Sequence, residues 1–201
     1  MKRTLRWAAA IVLTAAAGLA SAQEIRIAHV YGKTGALEAY AKQSHTGFMM
    51  GLEYATHGTM KVLGRKIVVI EKDTQLKPDI GKSQLAAAYG DDKADIAVGP
   101  VSSGVALAML PVAEEYKKIL VVEPAVADSI TGKDWNRYIF RTSRNSTQDG
   151  LAAAATLKGD MSIATLAQDY AFGRDGIKAL KDALAQVGSK AKIVHEEDAP
   201  Q

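Results

Sequence analysis

The chain has 201 residues, with 25 Lys+Arg against 22 Asp+Glu, a net charge of +3 and no cysteine. Without cysteine there is no disulfide framework, no thiol nucleophile and no thiolate metal ligand. The whole positive excess lies in Lys2, Arg3 and Arg6, so the rest of the chain is formally neutral and lacks the basic surface that nucleic-acid binding requires.

Those three residues open a leader. Trp7 to Ala20 is almost wholly apolar, and Ala20-Ser21-Ala22 is a small-x-small cleavage site, which together read as a secretory signal peptide over residues 1–22. The apolar run of roughly 14 residues is shorter than the ~20 that cross a bilayer core. The expectation is a mature protein free in the periplasm, with no lipid-anchoring cysteine and no later membrane span.

Short β-branched runs then predict strands at 24–30, 66–72, 94–100, 119–125, 138–143, 162–169 and 191–197. Between them the apolar spacing predicts helices. The first, 39–57, places Tyr40, Phe48, Leu52 and Ala55 near one face. A second starts at Pro78, a residue suited to a first helical turn. A third follows Ser102 and Ser103, and its Pro111 is expected to kink or restart it. Another carries Ile177, Leu180 and Leu184 and stops at Gly188. Strands alternating with helices predict an α/β fold with parallel strands and helices on both faces. The polar stretch 131–150 reads as a crossing between lobes. Beyond about Thr142 the pattern reads strand, helix, strand, helix, strand, and closes in "EEDAPQ", which reads as a connection.

Ligands of open parallel sheets bind beyond the carboxyl ends of the strands, and three loops occupy that place. The first contains Gly32-Lys33-Thr34, the tail of a phosphate-binding loop, but Ile27 stands where that motif needs glycine. The second, "GPVSSG" at 99–104, puts Val101, Ser102 and Ser103 at a helix N-terminus, where free N–H groups and two hydroxyls suit a carboxylate. The same serines also suit simple helix capping. The third is "EPAVADS" at 123–129. Neither serine has the flanking glycines of a nucleophile elbow. The four histidines show no metal-binding spacing, and no dinucleotide fingerprint is present. The expectation is a binding protein without cofactor or metal; an exported hydrolase on a doubly wound sheet is the reading from another class.

From Glu24 onward the chain resembles the N-terminal half of a periplasmic leucine/isoleucine/valine-type solute-binding protein, the type I receptor of ABC importers. The landmarks are "TGALEAYAKQSHTG", "ADIAVGPVSSGVALAMLPVAEEYK", "EPAVADSIT", "FRTSRNSTQDG" and "QDYAFGRDGIKALKDALAQVGSK", in that order. The resemblance implies two doubly wound parallel-sheet lobes, the first over 23–141 and an incomplete second over 142–201. It also implies a small carboxylate ligand and a membrane permease as partners. By the same resemblance Tyr40 packs over the ligand, Ser103 holds its carboxylate by hydroxyl and N–H, and the Ala125 carbonyl accepts from its ammonium. Ala127 stands where amino-acid receptors carry a threonine, so it keeps the backbone N–H and loses the hydroxyl. Phe172 replaces a tyrosine on the second lobe. These two departures point to aromatic or other small organic acids as the alternative to branched-chain amino acids. Members of the family are about twice as long as this chain, and the expectation is that the chain does not work as a receptor by itself.

Overall fold

The computed structural model describes residues 24–157 and 159–200; the signal-peptide reading, over 1–22, lies outside them. The chain begins with β1 (Ile25–Tyr31) and α1 (Glu38–Ala55), followed by the hairpin β2 (Lys61–Val62) and β3 (Arg65–Asp73). Then come α2 (Pro78–Gly90), β4 (Ile96–Val98), α3 (Ser103–Tyr116) and β5 (Ile119–Val122). A 3-10 turn (Asp128–Ile130) leads to β6 (Ile139–Arg141), and the remainder is α4 (Ser146–Thr156), β7 (Ser162–Gln168), α5 (Ala171–Gln186) and β8 (Lys192–Ala199).

The strands form a six-stranded sheet in the order β2-β3-β1-β4-β5-β6 and a two-stranded sheet of β7 and β8. Every neighbouring pair is parallel except β2 with β3. That hairpin turns through Leu63 and Gly64, both at positive φ, the backbone that matches the twist of a tight hairpin. The strand expected at 138–143 pairs with β5 and completes the first sheet. The region beyond Thr142 therefore carries two strands, where the sequence suggested three.

Strand alternation decides which side chains meet the core. On β1, Ala28 and Val30 are fully buried and join Leu85 and Tyr89 of α2 and Val105, Met109 and Leu110 of α3. Leu120 and Val122 of β5 and Ile139 of β6 extend the same cluster. This face is closed by α2 and α3. Pro111 does not end or restart α3, which runs through it. Pro111 is exposed, and its missing N–H removes one bond of the helix without ending it.

Among the described residues the opposite face is covered by α1 alone, and thinly. Of the residues expected on its buried stripe, Phe48 and Leu52 are half-buried, whereas Tyr40 and Ala55 are exposed; only Ala41 is buried. Beneath it, a cavity of about 500 Å³ opens between Phe48, Val98, Val121 and Pro124. The apolar spacing was there, but the helix has little to lay it against.

The second sheet has its own small core, in which Ala154 of α4 meets Ala183 and Leu184 of α5. The two helices approach closely at Gly150, where a Cβ would lie 2.7 Å from the Ala179 backbone. β8 extends to Ala199, pairing Glu196 with Thr165 and Ala199 with Gln168. The acidic residues read as a connection are thus strand. They are tolerated because most of β8 is exposed.

His29 and Tyr31 point from β1 to the α1 side. Their rings stack at 4.2 Å, and His29 Nδ1 lies 2.8 Å from Nδ1 of His45 on α1. The Tyr31 hydroxyl donates to Glu71 at 2.6 Å and Lys33 pairs with the same carboxylate at 3.0 Å, which together hold Glu71 below the usual carboxylate range. Burial, aided by His45 and opposed by Glu71, lowers the His29 pKa from 6.5 to about 4. The unfolded state therefore takes up a proton between those values that the folded state does not. This contribution to stability is complete above pH 6.5 and is lost as the pH falls toward 4. It amounts to about 3 kcal/mol. We expect Tm to drop between pH 7 and pH 5, and a His29→Leu variant to show a flatter profile over that window; equal slopes for the two proteins would contradict this account.

Candidate functional site

The chain leaves β4 through Gly99, whose φ of +120° is a backbone that favours glycine. A Cβ there would lie 2.0 Å from the Val30 carbonyl oxygen. The loop is thus laid directly against β1 before it turns into α3. The loop after β5 runs beside it, joined by the Ala125 N–H donating to the Pro100 carbonyl at 3.2 Å.

Alternate residues of the two loops face opposite ways. Val101 and Ser103 from the first, and Pro124 and Val126 from the second, line a cleft of about 260 Å³. Ser102, Ala125 and Ala127 do not line it and are buried. Leu37 and Tyr40 at the start of α1 form one wall of the cleft. Gln168, Tyr170 and Phe172, which lead from β7 into α5, form the facing wall. Of the seven residues that the sequence singled out, Tyr40, Val101, Ser103 and Phe172 come together in the cleft, and the other three stand behind it.

Ser103 joins the two loops. Its Oγ accepts the Ala127 N–H at 3.2 Å. The Ala127 N–H expected to remain available is therefore engaged within the protein. Ser103 keeps its own O–H, and the first N–H groups of α3 have no helical acceptor. Ser102 makes no side-chain cap bond, so the capping reading of the pair does not hold for it. The Ala125 carbonyl accepts from the Ser143 hydroxyl at 3.4 Å, a long bond that leaves acceptor capacity.

Sequence reasoning missed Gln168, Tyr170 and Arg144. Burial raises the Tyr170 pKa. Its ring lies 6.0 Å from that of Phe172, and its Cδ2 is 3.5 Å from where a Cβ on Gly104 would sit. Arg144 also lines the cleft. It precedes a capping box in which Asn145 and Gln148 exchange hydrogen bonds, each at 2.9 Å. The N-x-x-Q spacing was the available signal. Two further sets of bonds join the lobes away from the cleft. Ser129 donates from N–H and hydroxyl to Asp175 at 2.9 and 2.7 Å, and Thr147 donates likewise to Asp128 at 3.1 and 2.7 Å.

Residues 24–201 match the periplasmic binding protein family. The chain belongs to that family. It is a family of binding proteins rather than catalysts, and the fold is its type I α/β architecture, with the second lobe represented by α4, β7, α5 and β8. The chain is 65% identical to a crystal structure of an ABC-type branched-chain amino acid transporter from Rhodopseudomonas palustris, with a TM-score of 0.72, covering 88% of this chain and 47% of that one. A solute-binding protein of an ABC transporter from R. palustris BisB5, solved with 3,4-dihydroxy benzoic acid, is 30% identical with a TM-score of 0.75, over 89% of this chain and 47% of that one. The substrate-binding protein BasB of a chemotactic signal transduction system in Halobacterium salinarum is 30% identical over 75% of this chain and 37% of its own length. The chain thus spans half or less of the length of these periplasmic binding protein relatives.

Since Gly99 has both positive φ and no room for a Cβ, Gly99→Ala should cost at least about 3 kcal/mol, combining backbone strain with overpacking. Urea denaturation reads this directly. An unchanged midpoint would show that the loop before α3 is not held against β1.

Proposed function

We propose that this protein is the substrate-binding component of an ABC importer. In this reading the leader over 1–22 directs export to the periplasm and is removed. The first lobe, over 23–141, and the partial second lobe, over 142–201, contribute the two walls between which the full-length protein captures a small carboxylate-bearing solute before presenting its closed form to a membrane permease. The observation that carries the reading is Ser103, at the N-terminus of α3 in a cleft with aromatic walls from both sides. Because its Oγ accepts from Ala127, its hydrogen is left to donate, together with the α3 N–H groups, to a carboxylate. A hydrolase would need a base at hydrogen-bond distance from that oxygen, and the group found there is a backbone N–H.

Two ligand classes fit this arrangement. The branched-chain amino acids are supported by the description of the 65% identical relative. Aromatic or other small organic acids are supported by Phe172 in the cleft lining and by the bound dihydroxybenzoic acid of the 30% identical relative.

Calorimetry of the full-length protein with leucine, benzoate and the methyl ester of whichever binds provides the test. Ser103→Ala should weaken binding of the acid by about 1.5–3 kcal/mol, the range for a hydrogen bond to a charged group. The ester should bind poorly to both proteins. Equal affinity for acid and ester would remove the carboxylate from this place.

A further inference from the structure

Arg144 is the single positive charge among the described residues that line the cleft, and no carboxylate lines it with Arg144. Its position is fixed at several points. The segment it stands on follows Thr142, whose hydroxyl donates to Glu123 at 2.6 Å, and precedes the capping box of α4. Ser146, two residues on, donates from N–H and hydroxyl to the Val126 carbonyl at 2.9 and 3.2 Å. Arg144 is thereby tied to the same loop whose Ala127 is held by Ser103.

The guanidinium is paired with one carboxylate and also has a side-chain hydrogen bond with Tyr40, which lines the cleft beside it. Nε donates to both oxygens of Asp149, at 2.7 and 3.0 Å. Asp149, with Tyr40 a smaller contributor, pushes the Arg144 pKa up, so the charge is permanent. No carboxylate among the described residues holds the two terminal NH2 groups. An arginine fork of this kind suits a carboxylate better than any other side chain.

Building on the carboxylate-receptor reading above, we infer that Arg144 is a specificity-determining residue that makes the cleft select net-anionic organic acids over zwitterionic amino acids. A carboxylate in the cleft meets the edge of the guanidinium that Asp149 does not hold, where the neighbour is the neutral Tyr40. An α-ammonium in the same cleft meets that cation and finds no opposing carboxylate in the lining. Attraction in one case and repulsion in the other favour the same ligand class, so discrimination does not depend on the shape of the ligand's tail.

The discriminating probes are leucine and 4-methyl-2-oxopentanoate, which share a carbon skeleton and differ in ammonium against keto oxygen; benzoate is a third. Calorimetry on the full-length protein should show the keto acid binding at least about tenfold more tightly than leucine, with a preference that shrinks as salt is raised. Arg144→Met should bring the ratio to within about twofold. Arg144→Lys, which keeps the charge, should retain most of it and shows that any loss in the Met variant is one of charge rather than folding. Leucine binding as tightly as the keto acid, or a preference that survives Arg144→Met, overturns the role of Arg144 and leaves the receptor reading in place. Failure of all three probes to bind overturns both.

Discussion

The hydrogen bond from the Ala127 N–H to Ser103 Oγ is the contact on which the cleft depends. It crosses between two loops that leave neighbouring parallel strands, and parallel strands give such loops no ladder of their own beyond the strand ends. Without a cross-link, a buried N–H at Ala127 would be unpaired, a cost that native structures avoid. The serine meets that demand from the first position of α3. The same loop is bound on its other flank by Ser146, at the start of α4. Three segments far apart in sequence are thereby held by one short chain of bonds, and the cleft walls inherit their spacing from it.

The two faces of the first sheet illustrate a second constraint. Toward α2 and α3 the side chains interlock without exposure, whereas toward α1 they leave a cavity and a helix that buries one residue. The polar stack of His29, Tyr31 and His45 occupies the face where apolar packing is thin. Specific ring contacts and a bond to Glu71 hold β1 there, and their strength varies with protonation, unlike that of the apolar side.

Legibility from sequence followed the same physics. β1, β3 and β7 were readable because β-branched residues recur through them, Ile25, Ile27 and Val30 in β1, Ile67 to Ile70 in β3, and Ile163 and Thr165 in β7. The hairpin strand β2 was not, being two exposed residues defined by pairing rather than composition. The acidic end of β8 was read as a loop because an exposed strand places no demand for apolar side chains. At the cleft, "GPVSSG" identified the right loop, since glycine, proline and paired serines have backbone reasons to stand there. What the sequence could not supply was the phase of the two loops. Shifting by one residue exchanges Ser102 for Ser103 and Ala127 for Val126, so three of the seven residues named lie behind the cleft. Arg144 was missed because its relevance comes from the crossing of the chain, which local spacing does not encode.

The bonds from Ser129 to Asp175 and from Thr147 to Asp128 join the lobes away from the cleft. Carboxylate acceptors make them stronger than neutral bonds, and separation of the lobes there would return each partner to water. They hold the two lobes together at a second place, independent of the cleft. In the receptor reading proposed above, apparent affinity scales with the fraction of molecules already competent to bind, so two carboxylates remote from the cleft would act on affinity rather than on the choice of solute.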